Sequence, residues 1–164
     1  MIKTIVVSLM MCFIELAVIV IASPLAKPSL ILRFLPDDIR EAAKDHQEPA
    51  KWKQWIAHGL LALFLISFLA GMIYLGIDGT RSGYGFWKLW LRFVVCLYIV
   101  KAFDILVQDQ WLVMTSGYYK KLFPETAECE GWKNRGWNNK NQIVRIIAYP
   151  FLCMITAGIF MLVS

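Results

Sequence analysis

The chain has 164 residues, 59% of them hydrophobic, 14% aromatic and 18% charged, with a formal net charge of +5. Soluble domains average about 45–50% apolar and about 25% charged residues, which argues against a water-soluble domain of ordinary composition. The apolar excess falls into four runs, 4–22, 56–76, 89–107 and 143–163, each able to cross a hydrocarbon core of about 30 Å at about 1.5 Å per residue. None alternates as barrel strands do, so the expected fold is all-α, a bundle of four transmembrane helices forming one membrane domain over 1–164.

The first run starts after Lys3 and ends near Ala22, Ser23 and Ala26, features shared with a signal peptide. It exceeds a signal core of about 7–15 residues and carries Glu15 at its middle, so a retained first helix is expected. Pro24, Pro28, Pro36 and Pro49 then punctuate a loop in which the largely apolar Ser29–Leu35 should lie at the membrane interface. Pro36-Asp37-Asp38 resembles a helix start, with proline in the first turn and acids at the positive end of the dipole. A short cytoplasmic or interfacial helix from Asp37 to His46 follows. Trp52 and Trp55 mark the boundary of the second run, and the glycine-rich 77–86 makes a tight outer turn.

The third run is apolar but contains Arg92, Lys101 and Asp104. Insertion scales set about 7.5–10 kcal/mol for three central charges against about −3.6 to −7.2 kcal/mol from its Leu, Ile, Val and Phe residues. It therefore needs partners, although Arg92 lies near an end and is expected to snorkel. Glu15 lies about 16 Å along the first helix and Lys101 about 18 Å along the third. Asp104 follows Lys101 by three positions and shares its face, which Gln108 and Trp111 continue. Glu15, Lys101 and Asp104 are thus the primary candidate binding site, a buried polar cluster. The architectural alternative is that it fixes helix pairing and register.

Secondary candidates gather at the cytoplasmic boundary: Asp109, Glu125 and Glu128, with His46 or His58 across the bundle, where acid–base work on lipid head groups is conceivable. The last loop repeats itself as Gly131-Trp132-Lys133-Asn134-Arg135 and Gly136-Trp137-Asn138-Asn139-Lys140. Trp132 and Trp137 among basic residues could cradle an anionic head group or form an aromatic belt. Cys12, Cys96 and Cys153 lie in runs and Cys129 in a loop, without CxxC or zinc-type spacing, so no metal and no cofactor is expected.

Twelve basic residues fall on the first and last loops and the adjoining helix end, against Lys3, Arg81 and Lys88 on the other side. Short basic loops stay in the cytoplasm, which sets both termini outside. The charge is read as a topology signal and a contact with anionic lipids in the bilayer, with no nucleic-acid partner.

Several segments resemble a family of small uncharacterised bacterial four-helix membrane proteins: Pro36-Asp37-Asp38-Ile39, Ser82-Gly83-Tyr84-Gly85-Phe86-Trp87-Lys88-Leu89, Phe103-Asp104-Ile105-Leu106-Val107-Gln108-Asp109 and Phe123-Pro124-Glu125-Thr126. The resemblance implies a bacterial inner-membrane protein with Asp104 and Asp109 in a shared motif, and no activity. The chain departs from that pattern where Gln110 separates Asp109 from Trp111. The leading functional expectation is binding or transport of an ion, proton or small solute through the polar cluster, as a homo-oligomer. The alternatives are a membrane-embedded enzyme acting on a lipid or isoprenoid at the cytoplasmic face, and an accessory subunit.

Overall fold

The computed structural model describes residues 1–163, which are all-helical and without strands. Three helices are long and apolar enough to cross a membrane: α1 (Ile2–Ala22), α4 (Lys51–Arg81) and α7 (Asn139–Val163). Each contains its expected apolar run and extends beyond it into polar flanks, α4 as far as Arg81 and α7 back to Asn139. The remaining run behaves differently. Helix α5 (Phe86–Phe103) has only 18 residues and carries Lys88, Arg92 and Lys101. The chain then continues, without a break, as a π-helix, π1 (Asp104–Val113).

Helix α5 packs against α1, α4 and α7 and is the most enclosed of the long helices. Arg92 and Lys101 are buried among its Leu89, Phe93, Val94, Cys96 and Leu97. By contrast, only 11% of the apolar windows of α4 and α7 is buried, against 28% for α1. The insertion deficit of the third run is thereby resolved: the charged helix faces protein while its apolar neighbours form the outside. Its core joins Met11, Leu75, Leu89, Phe93, Cys96, Cys153 and Ala157, and burying one such aliphatic side chain is worth about 1.5–3 kcal/mol. Close approach of α4 and α7 depends on Gly76, where a Cβ would meet the Phe160 ring at 2.3 Å.

Pro150 interrupts the hydrogen-bond ladder of α7, since it has no N–H for the Ile146 carbonyl one turn back. The Tyr98 hydroxyl donates to that carbonyl at 3.1 Å, and Trp90 Nε1 donates to the Pro150 carbonyl at 2.9 Å. The lesion in α7 therefore becomes its attachment to α5.

The two long loops fold onto each other as a cap. It comprises α2 (Pro28–Leu32), α3 (Asp37–Ala42), α6 (Tyr118–Leu122) and 3₁₀ turns at Pro124–Thr126 and Glu130–Lys133. Leu32, Leu35, Ile39, Ala43, Tyr119, Phe123 and Trp132 form its core, on Leu112 of π1. Asp38 accepts from the Gly131 N–H at 2.7 Å, and a Cβ at Gly131 would lie 2.2 Å from Asp38 Oδ1.

Four expectations are corrected here. The turn between the second and third runs is confined to 82–85 rather than 77–86, because 77–81 continue the helical hydrogen bonding of α4 and α5 starts at Phe86. Helix α3 stops at Ala42, before His46, because a turn carries His46 to Glu125 (2.7 Å) and edge-on to Phe123. Ser29–Leu35 is not a uniform interfacial segment: Leu32 and Leu35 enter the cap core while Phe34 stays exposed. Trp132 is no belt residue, since it is 4% exposed and donates through Nε1 to the Thr126 carbonyl at 2.7 Å.

Candidate functional site

A π-helix closes i→i+5 hydrogen bonds, so residues five apart lie on the same side of its axis. In an α-helix the same residues would diverge by about 140°. Asp104 and Asp109 are five apart, as are Gln108 and Val113, and all four line one cavity together with Leu112. The winding of π1 is what turns both aspartates of this segment to the same space. Such π segments are uncommon and concentrate at functional sites.

That cavity measures about 600 Å³. Its apolar wall comes from Val18, Ile19 and Ala22 of α1, Leu61 and Phe64 of α4, and Leu30 and Ile31 of the cap. Its polar groups converge from Glu15, Ser23, Arg33, π1, Asn138, Asn141 and Arg145. A largely apolar chamber with a few converging polar groups is the usual form of a small-molecule site. A second space of about 190 Å³ is bordered by Glu15, Lys101, Asp104, Arg145 and Tyr149, so Glu15, Asp104 and Arg145 face both.

The three residues of the expected polar cluster thus border one space, but they do not form a closed triad. Lys101, 4% exposed, is ion-paired with Asp104 one turn on. Glu15 makes no ion pair among the described residues, and its Oε2 is buried without a hydrogen-bond partner. The amide Nε2 of Gln108, a residue 7% exposed, is also buried and unpartnered.

Asp109 lies beyond the expected 89–107 span, at the end of the cavity where π1 meets the start of α7. Asn138 Nδ2 donates to its Oδ2 at 3.1 Å, and the Gln142 amide donates to the same oxygen. Burial pushes the Asp109 carboxyl above the usual carboxylate range, and the negative charge of Asp104 adds to the effect; the amide donors oppose it. Trp137 borders the same cavity, whereas its near-duplicate Trp132 is buried in the cap. Glu125 is engaged by His46 on the cap surface. His58 is exposed, with its ring nitrogen on the Gln54 carbonyl at 2.6 Å, and joins neither carboxylate. Of the secondary candidates, Asp109 and Trp137 belong to the cavity; Glu125, His58 and Trp132 do not line it.

The sequence reading missed a second ionic cluster at the opposite end. Arg92 does not snorkel: it is 1% exposed, donates to Asp78 at 2.7 Å and Thr4 at 3.0 Å, and Asp78 also accepts from Lys3 at 2.6 Å. Asp78 and Arg92 flank the short α4–α5 turn, a position from which the pair could have been anticipated. Asn138 and Gln142 were missed too, since their role depends on where the start of α7 meets π1. In comparison with known proteins, no family model matches the chain, and neither a curated protein nor a solved structure does.

Proposed function

We propose that this is a four-span integral membrane protein whose cytoplasmic-side cavity binds an amphiphilic small molecule, the apolar body against α1, α4 and the cap and the polar head against π1. The observation that carries the reading is the π-helical face. Asp104, Gln108 and Asp109 meet a largely aliphatic chamber of about 600 Å³ beside Glu15, with Arg33, Asn138, Asn141 and Arg145 at its polar end. A site for a freely soluble polar ligand would not need so much aliphatic wall, and a lipid-facing groove would not bring in buried carboxylates.

Four spans are supported by the ends at which chain segments meet. Lys3 and Thr4 contact the α4–α5 corner through Asp78 and Arg92, while the loops after α1 and after π1 fold together at the other end. That is the arrangement of four helices alternating in direction, with α5 and the start of π1 as the third span. The basic cap then faces the cytoplasm by the positive-inside bias, with both termini outside and anionic lipid beneath its lysines. A bacterial inner membrane remains the expectation from the segments that carry the family resemblance.

The test is retention of an amphiphile during purification. Native mass spectrometry of the wild-type protein in detergent should find one bound lipid-sized species that survives delipidation. Val113→Trp, which fills the chamber from π1, should lose it while keeping its helix content. Equal occupancy of both proteins, or of neither, would refute the reading.

A second reading rests on the smaller space beside Lys101–Asp104, where Glu15 faces an intramembrane ion pair. Intramembrane ionisable groups of this kind mark proton or ion paths. Replacing Glu15, Lys101 and Asp104 together with Gln, Met and Asn removes all three charges without stranding one. Proton flux into proteoliposomes that disappears in the folded triple variant would support that path; unchanged flux would eliminate it.

A further inference from the structure

The charged groups of the chamber divide by sign. Each carboxylate on its wall has a donor group beside it: Asp104 has Lys101, Asp109 has Asn138 and Gln142, and the Glu15 carboxylate is turned to the Gln108 amide, enclosed with it. Asn141 donates to Asn138, and the Ser23 hydroxyl to the Ile19 carbonyl. The two arginines differ. Arg33, just after α2, and Arg145, in the first half of α7, line the same chamber and form no salt bridge among the described residues. Both are exposed, as side chains at the mouth of a chamber are. The Arg33 guanidinium lies over the Phe34 ring, 4.5 Å from its centroid, which covers one face and leaves the N–H edge open. Trp137, whose indole is a further donor, borders the same space.

The acids are thus met from within the protein, while the fixed positive charges are not. A guanidinium keeps its proton at any ordinary pH and offers a planar fork of donors that matches the oxygens of a carboxylate or phosphate. An ammonium head would face two cations and carboxylates already held by other groups. An alcohol or ether oxygen would accept a hydrogen bond but leave both charges uncompensated. An oxyanion accepts from either guanidinium and balances its charge at the same time.

We propose that the head of the amphiphile is an oxyanion, a phosphate or a carboxylate, held by Arg145 and Arg33 at the polar end of the chamber, with the tail along the α1 and α4 wall. This rests on the cavity being a binding site and adds the charge of the ligand's head. Arg145 also borders the smaller space beside Glu15 and Asp104, so its other possible role is an internal counter-ion for those carboxylates. The two roles differ in what the chamber selects.

The test uses four probes of one chain length, oleyl phosphate, oleate, oleyl alcohol and oleylamine, doped into phosphatidylcholine nanodiscs carrying the full-length protein. Binding is read as the rise in unfolding temperature with probe mole fraction. At least one of the two anions should bind about tenfold or more tighter than the alcohol, the gain expected for a hydrogen bond to a charged group. The tighter of the two identifies the oxyanion. The amine should bind most weakly. Arg145→Gln and Arg33→Gln should each reduce the preference for an anion, and Val113→Trp should remove it together with binding.

Equal binding of anions and alcohol to the wild type, blocked by Val113→Trp, would overturn the oxyanion assignment while leaving the cavity as a binding site. That is the result expected if Arg145 serves the internal carboxylates. An anion preference that persisted in Val113→Trp would also overturn it, since the arginines would then be meeting head groups at the bilayer surface. Tightest binding of the amine would overturn it in favour of the carboxylates as the head-group partners. If no probe bound to the wild type and Val113→Trp had no effect, the cavity reading itself would fail. The comparison of probes on the wild type decides the question even where a variant does not fold.

Discussion

Asp109 shows how one residue can link the cavity to stability. Its carboxyl is buried and raised above the ordinary value, so the folded protein holds its proton at pH values where the unfolded chain, near about 3.9, has released it. Its contribution is therefore largest below the unfolded value and is lost as pH rises through the folded one. Thermal melts of the wild type in nanodiscs should show stability falling over that interval. Asp109→Asn should flatten this part of the profile while keeping an oxygen for Asn138 and Gln142. A wild-type profile that rises through the same interval, or an Asp109→Asn profile identical to it, would contradict the assignment. Arg92 makes the complementary point: its burial is offset because Asp78 takes up the charge through Nη2 and Thr4 accepts from Nε, with Lys3 closing the cluster, while Nη1 has no partner among the described residues.

Among the elements, π1 has the most specific consequence. An ordinary α-helix over 104–113 would turn Asp109 away from Asp104, and Gln108 and Val113 would separate likewise. Gln110 lies inside π1, and its amide donates to the Arg135 carbonyl at 2.9 Å, on the approach to α7. It is also the residue by which the chain departs from the pattern it resembles. Deleting Gln110 should let the segment rewind as an α-helix, narrow the chamber and weaken retention of the bound amphiphile, with helix content retained. Cysteine pairs at 104 and 109, read by the distance between spin labels, would report the change: the separation should lengthen in the deletion variant. Unaltered separation and affinity would show that the π geometry does not depend on that residue. Helix α5 illustrates a different rule, since its charges, unfavourable in lipid, sit where the bundle is most enclosed.

For the whole molecule, topology is the testable feature. Both long loops form one cap, whose core and Asp38–Gly131 bond tie them to one side. On a variant without native cysteines, Lys133→Cys should resist a membrane-impermeant thiol reagent applied from outside, and Ser82→Cys should react. The reverse pattern would invert the orientation, and labelling of both from outside would contradict the four-span arrangement. The cap also roofs the chamber, because Leu30, Ile31 and Tyr119 belong to both. Ligand entry and cap packing are consequently coupled.

The sequence alone determined the features that depend on hydrophobic length. The helices around 4–22, 56–76 and 143–163 follow from backbone satisfaction in an apolar solvent, which needs no knowledge of neighbours. The depth of Glu15 and the shared face of Lys101 and Asp104 follow from the helical rise and spacing, and the Lys101–Asp104 pair lies where that spacing set it. Tertiary structure decided the rest. Whether Arg92 would snorkel or bury depended on Asp78 and Thr4 arriving from two other helices. The π-helical winding of 104–113 has no period in the apolar pattern to reveal it, since it is a choice between two hydrogen-bond registers of nearly equal local geometry. Asn138 and Gln142 became partners of Asp109 only when α7 docked against π1. Glu15 likewise met Gln108 only through the packing of α1 beside π1, a relation between two helices that no spacing within one of them encodes.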